Sequence, residues 1–123
     1  MYCLHNNAAK MQSIKKNHDF KQVCSRGKYV ADSMFVAYAL ANDLHCNRIG
    51  ITVSKRTSNS AVKRNLIKRW VKESCRMISC TKIGYDFVVI ARAPSGLLER
   101  ESGGFFVVYN SVKFLFKKLE KKL

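Results

Sequence analysis

Along "RIGITVS" (48–54), Ile49, Ile51 and Val53 alternate with Arg48, Gly50 and Thr52. That period of two predicts a strand with one face in the core and the other left shallow, polar and open. "SMFVAYAL" (33–40) predicts the strand before it, joined by the polar loop "ANDLHCN". "YDFVVIAR" (85–92) has a continuous apolar centre, as expected of an inner strand of a mixed sheet buried on both faces. Between the last two strands the period lengthens. From about Ser60 to Ile78, the residues Val62, Leu66, Ile67, Trp70, Val71, Met77 and Ile78 fall on one half of a helix. A shorter helix is expected over Asn17 to Arg26. Asn17 or Asp19 would cap it, Phe20, Val23 and Cys24 stand at i, i+3, i+4, and Gly27 would stop it. Pro94 and Gly96 break the chain before a last helix, Phe105 to Leu123, with Val108, Val112, Leu115 and Leu119 on one stripe. Its opening "FFVVY" reads equally well as a strand. Residues 1–12 show no period and are expected to form a flexible leader. No repeat or low-complexity linker divides the remainder, so 13–123 reads as one α+β domain.

The polar half of the long helix changes the picture. Arg64, Lys68, Lys72 and Arg76 run down it at i, i+4, with Asn65 and Arg69 alongside and Lys63 inside the apolar arc. Glu73 is the one carboxylate among them. Like charges at that spacing cost a few tenths of a kcal/mol per pair, and Lys63 and Arg64 oppose the positive end of the helix dipole. A charge run is ordinarily a solvated face. Here the scarcity of glutamate and the basic first turn point to an outside anion, because a phosphate reverses both unfavourable terms. The whole chain agrees, with 23 Lys and Arg against 8 Asp and Glu and a formal charge of +15. A membrane surface would need the apolar half of this helix, which the flanking strands need as core. No helix-turn-helix pair or basic zipper precedes it, which favours RNA read by shape and phosphate over DNA. The apolar runs are too short to span a bilayer, and the N-terminal stretch lacks the apolar block of a secretion signal, so the cytoplasm is the expected location.

Little in the sequence suggests chemistry carried by the chain itself. The acids Asp19, Asp32, Asp43, Glu73, Asp86, Glu99, Glu101 and Glu120 are scattered, without a D-x-D or E-x-x-E pair near the cations. His5, His18 and His45 have no nucleophile beside them in sequence, and no glycine-rich phosphate loop follows a strand. The cysteines are odd in number, 5, with no C-x-x-C pair, which suits reduced thiols rather than a structural metal. No catalytic residue, metal or cofactor is expected on the protein.

The stretch "GITVSKRTSNSAVKRNLIKRWVKESCR", with "IKKNHDFKQVCSRGKY" before it and "YDFVVIARAPSGL" after it, resembles the protein subunit of bacterial ribonuclease P over about residues 13 to 119. The resemblance implies an α/β sandwich similar to a ribosomal-protein domain, with a left-handed βαβ crossover where general rules favour a right-handed one. It implies a ribonucleoprotein whose RNA subunit carries the catalytic centre with Mg²⁺. The protein would bind that RNA and hold the 5′ leader of precursor tRNA. The RNA-binding role would fall on Arg64, Asn65, Lys68, Arg69 and Lys72, with Lys55 and Arg56 just before and Lys63 and Arg76 at the helix ends. A leader groove would use the open strand face at Arg48 and Thr52, bordered by Phe20 and Tyr38, although Phe20 reads equally well as plain core. Two positions depart from the family pattern: Leu66 replaces the second Arg of "RNR", and Cys24 stands where an aromatic residue is common. The alternative is a basic ribosomal or RNA-assembly protein without a role in cleavage.

Overall fold

The structure is a computed structural model that describes residues 11–78 and 82–123. In chain order it contains β1 (Gln12–Ser13), α1 (Asn17–Arg26), β2 (Lys28–Ala31), β3 (Phe35–Ala41), β4 (Arg48–Thr52), α2 (Ala61–Met77), β5 (Tyr85–Ala91), a 3₁₀ turn (Ala93–Leu97) and α3 (Gly104–Glu120). The sheet has the order β1-β4-β5-β3-β2. Strand β4 runs parallel to β1 and β5, while β3 is antiparallel to β5 and β2. The α+β class and the mixed sheet are as the sequence predicts. The residues before Met11 in the expected leader, and Cys3 and Cys80, lie outside the described residues. Gln12, at the end of that leader, pairs with Arg48 in β1.

Both long helices cover one face of the sheet. Phe35, Ala37 and Ala39 of β3, Ile49 of β4 and Phe87 and Val89 of β5 meet Ile67, Trp70 and Val71 of α2 and Val108, Val112, Leu115 and Leu119 of α3. The rings of Phe87 and Phe116 stack with centroids 5.1 Å apart. Each fully buried side chain of this size contributes about 1.5–3 kcal/mol, so the docking of α2 does not depend on its unfavourable polar half. Helix α1 lies on the opposite face, where the β4 alternation turns Gly50 outward. A Cβ at Gly50 would meet Phe20 Cε2 at 2.9 Å, so the missing side chain lets the Phe20 ring lie on the strand. Strand β5 is central, with Asp86, Phe87, Val88 and Val89 all buried, in agreement with its continuous apolar centre.

Several boundaries and faces differ from expectation. Val62 and Met77 are 80% and 56% exposed, although their angles place them with the apolar half. The buried arc centres on Ile67, Val71, Ser74 and Ile78, and at 3.6 residues per turn Val62 and Met77 fall well away from that centre. Ser74 and Cys75 take their place in the core, and the Ser74 hydroxyl donates to the Trp70 carbonyl at 2.7 Å, which leaves no polar group unsatisfied there. Ser60 caps α2, accepting from the Lys63 amide at 3.2 Å. In α1, neither Asn17 nor Asp19 caps: Lys16 occupies the cap position without a side-chain bond. Gly27 ends α1 in extended conformation, φ −78°. It is needed for closeness, since a Cβ would lie 2.6 Å from the Ala39 carbonyl. "FFVVY" is helical. Gly103, at φ +77°, starts α3, and Gly104 packs against the Trp70 ring where a side chain could not.

Candidate RNA interface

The sequence put nine polar residues on or before α2, and the structure separates them by what they touch. Lys63 Nζ lies 3.1 Å from Glu99 Oε2. Arg64 folds back onto the preceding loop, donating to the carbonyls of Ser58 and Asn59 at 2.9 and 3.1 Å. Arg76 pairs with Glu73 at 2.9 Å. Asn65, Lys68, Arg69 and Lys72 are exposed, and the three cations have no ion pair among the described residues. Lys55 and Arg56 are exposed on the loop that leads into the helix. Thr57 fixes that loop: it is buried, and its hydroxyl donates to the Ala91 carbonyl at 3.3 Å. Leu66 is half-buried against the core, so an arginine is replaced where the side chain faces inward. Beside the cations, Lys68, Arg69 and Lys72 rim a cavity of about 350 Å³ with Ile14, Ile49 and Ile51 in its walls.

The residues expected to form a groove lie on the other face. The strand register aligns Gly50, Val88, Tyr38 and Tyr29 in one row across the sheet, and Thr52, Ile90, Val36 and Ala31 in the next. Phe20 rests on Gly50 at one end of the first row. Tyr38 is half-buried, and its ring lies 5.7 Å from that of Tyr29. Burial pushes the Tyr38 pKa up, and the neighbouring Cys24 and Tyr29 push it the same way, so the phenol stays protonated and able to donate. Burial also raises the Cys24 thiol. By register, Phe20 (over Gly50), Tyr38 and Thr52 share one face of the sheet.

Arg48 has a different job. It stands in the row of Asp86 and Leu40, where Nε and Nη2 donate to the two Asp86 oxygens at 2.7 and 2.5 Å. Nη1 reaches Asp19 at 3.5 Å. The Asp86 hydrogen bond raises the Arg48 pKa, outweighing the opposing effect of burial. Asp86 also accepts from Asn42 Nδ2 at 2.8 Å. These contacts tie α1 to β4 and β5. Asp86 escaped the sequence reading; its one signal was an acid inside an apolar strand, with no local partner. Three further carboxylates are also engaged in structure: Asp32 accepts from the amides of Met34 and Phe35, and Glu73 and Glu99 pair as above. Among the described residues, no group of three His, Cys, Asp or Glu converges as a metal site.

A cationic helix on one face of a mixed sheet and a row with Phe20 and Tyr38 on the other describe an α+β domain suited to an anionic partner. The family model for Ribonuclease P matches residues 8–120. The chain is 42% identical over 108 residues to the ribonuclease P protein component of Clostridium kluyveri, covering 85% of this chain and 91% of that protein. It is 38% identical over 107 residues to that of Exiguobacterium sibiricum, covering 85% and 87%. Among solved structures, the RNase P protein of Staphylococcus aureus superposes with a TM-score of 0.76 at 34% identity, over 89% of this chain and 95% of that one. That of Thermotoga maritima gives 0.73 at 30%, over 87% and 96%. The chain belongs to the ribonuclease P protein family.

Proposed function

We propose that the chain is the protein subunit of a ribonuclease P, binding the catalytic RNA subunit and assisting removal of the 5′ leader from precursor tRNA. The observation that carries this reading is the exposed set Asn65, Lys68, Arg69 and Lys72, whose cations have no carboxylate partner among the described residues, on a helix otherwise docked as core. Lys55 and Arg56 extend this surface. The remaining three, Lys63, Arg64 and Arg76, act through the fold, holding the loop and helix ends that present it. Chemistry belongs to the RNA and to Mg²⁺ held by its phosphates, in the cytoplasm. The β4–α2–β5 crossover would turn left-handed, as the family resemblance implies. With the RNA subunit and Mg²⁺, the chain should raise precursor cleavage most at low salt, where repulsion between two RNAs is least screened. Protein freed of RNA by nuclease should cleave nothing. No stimulation of the RNA would favour a ribosomal or assembly protein instead.

The leader would lie along the rows of Tyr38 and Thr52 beside α1, with Phe20 as its wall and Arg48 bracing that wall. Unpaired bases stack on aromatic rings with little regard to sequence, at roughly 1–3 kcal/mol per base. Tyr38→Ala should therefore weaken holoenzyme binding of precursor tRNA about 5- to 100-fold and leave mature tRNA almost unchanged. Paired binding curves at one fixed salt read this difference. Equal losses for both RNAs would remove Tyr38 from the groove.

A further inference from the structure

Helix α3 turns Val108, Val112, Leu115 and Leu119 into the core, which would leave an outward face of polar residues. Instead Phe106 and Phe114 are 69% and 53% exposed. They stand with Asn110 on one i, i+4 row, roughly 12 Å from ring position to ring position. Lys113, Lys117 and Lys121, all exposed, form the adjacent i, i+4 row. Lys118 Nζ lies 5.0 Å from the centre of the Phe114 ring. The helix dipole accounts for lysines in the last turn. It does not account for the exposure of Phe106, edge-on to Phe105, and of Phe114, nor for Lys113, whose Nζ lies 5.8 Å from the Tyr109 ring.

We propose that this face is a second RNA-binding surface, on which an unpaired stretch of the RNA subunit stacks bases on Phe106 and Phe114 and runs its phosphates along Lys113, Lys117 and Lys121. The inference rests on the chain being an RNA-bound subunit, and adds a surface beyond α2 and the groove. Charge selects the occupant. A second copy packed two-fold on this face would set one lysine row against the other, a repulsive arrangement. A bilayer would need a broad apolar face, and the broad apolar face of α3 is already in the core. A single RNA strand supplies flat bases for the rings and phosphates for the ammonium groups together.

The test uses the full chain and the RNA subunit. Replacing both rings, Phe106→Ser with Phe114→Ser, should lower affinity for the RNA subunit at least 5-fold, and up to about 100-fold per stacked base. The preference of the holoenzyme for precursor over mature tRNA should not change. A photoreactive phenylalanine analogue introduced at Phe114, nearly isosteric with the native ring, should crosslink to the RNA subunit in the assembled holoenzyme. Unaltered affinity in the double variant, or a crosslink only to a second copy of the chain, would overturn the proposal. So would capture of the free protein by phosphatidylserine vesicles through the Phe114 probe with no RNA crosslink. Failure of the unsubstituted chain to bind the RNA subunit would overturn the functional reading beneath it as well.

Discussion

Asp86→Ala should destabilise the protein by about 3–5 kcal/mol, a large share of the roughly 5–15 kcal/mol typical of a domain this size. The loss exceeds that of an ordinary ion pair because of where the pair sits. Asp86 is 5% exposed, and the side chain of Arg48 only 20%. Removing the acid leaves the guanidinium largely out of water, with Asp19 at 3.5 Å as its remaining carboxylate. Asn42 loses its side-chain acceptor at the same time. Urea denaturation would read the change as a lower midpoint with little change in slope. The double variant Asp86→Ala with Arg48→Met tests the cause, because replacing both members with apolar groups removes the stranded charge and should recover much of the loss. A loss of less than 1 kcal/mol in the single variant would mean that Arg48 finds water, and that the pair does not anchor α1. If the pair anchors it, discrimination for the 5′ leader should weaken before affinity for the RNA subunit does, since α2 is docked independently on the far face.

That ion pair marks the limit of what the sequence disclosed. Periodicity identified the strands and helices of the core, and even the central place of β5, because a strand buried on both faces cannot alternate. It also found the inward position of Leu66. It could not pair Arg48 with Asp86, which are far apart in sequence and meet only through the parallel register of β4 and β5. Arg48 on an alternating strand looked like a groove cation for that reason. Val62 and Met77 show a second limit. The expected arc is centred on the large apolar residues, whereas the buried face centres on Ile67, Val71, Ser74 and Ile78, because Ser74 and Cys75 bury without a strong hydrophobic signal. The short edge strand β2, with Val30 alone buried, carries too little pattern to be seen. Within the basic cluster, the sequence told cations from acids but not free cations from engaged ones. Glu99 reaches Lys63 from the segment before α3, and the loop carbonyls that hold Arg64 have no side-chain signature.

The separation of free from engaged cations makes the last expectation quantitative. Lys68→Gln, Arg69→Gln and Lys72→Gln together remove three exposed charges without an ion-pair partner among the described residues. Each phosphate contact releases about 0.7–0.9 of a counterion, so the triple variant should flatten the log–log slope of RNA affinity against salt by about two to three. Extrapolated from a 1 M reference to 0.1 M salt, that corresponds to a loss of roughly 100- to 500-fold in affinity. Stability should move the other way. Removing Lys68 and Lys72 relieves an i, i+4 repulsion, worth a few tenths of a kcal/mol, so the melting temperature should hold or rise slightly. This divergence distinguishes a binding surface from a structural one, because a general fault in folding would lower both quantities together. Lys63→Gln provides the contrast. It breaks the pair with Glu99 and should change the slope by much less than one unit, since that ammonium is already occupied. Slopes for the triple variant equal to those of the native chain, measured between 50 and 200 mM salt, would show that RNA does not lie along α2.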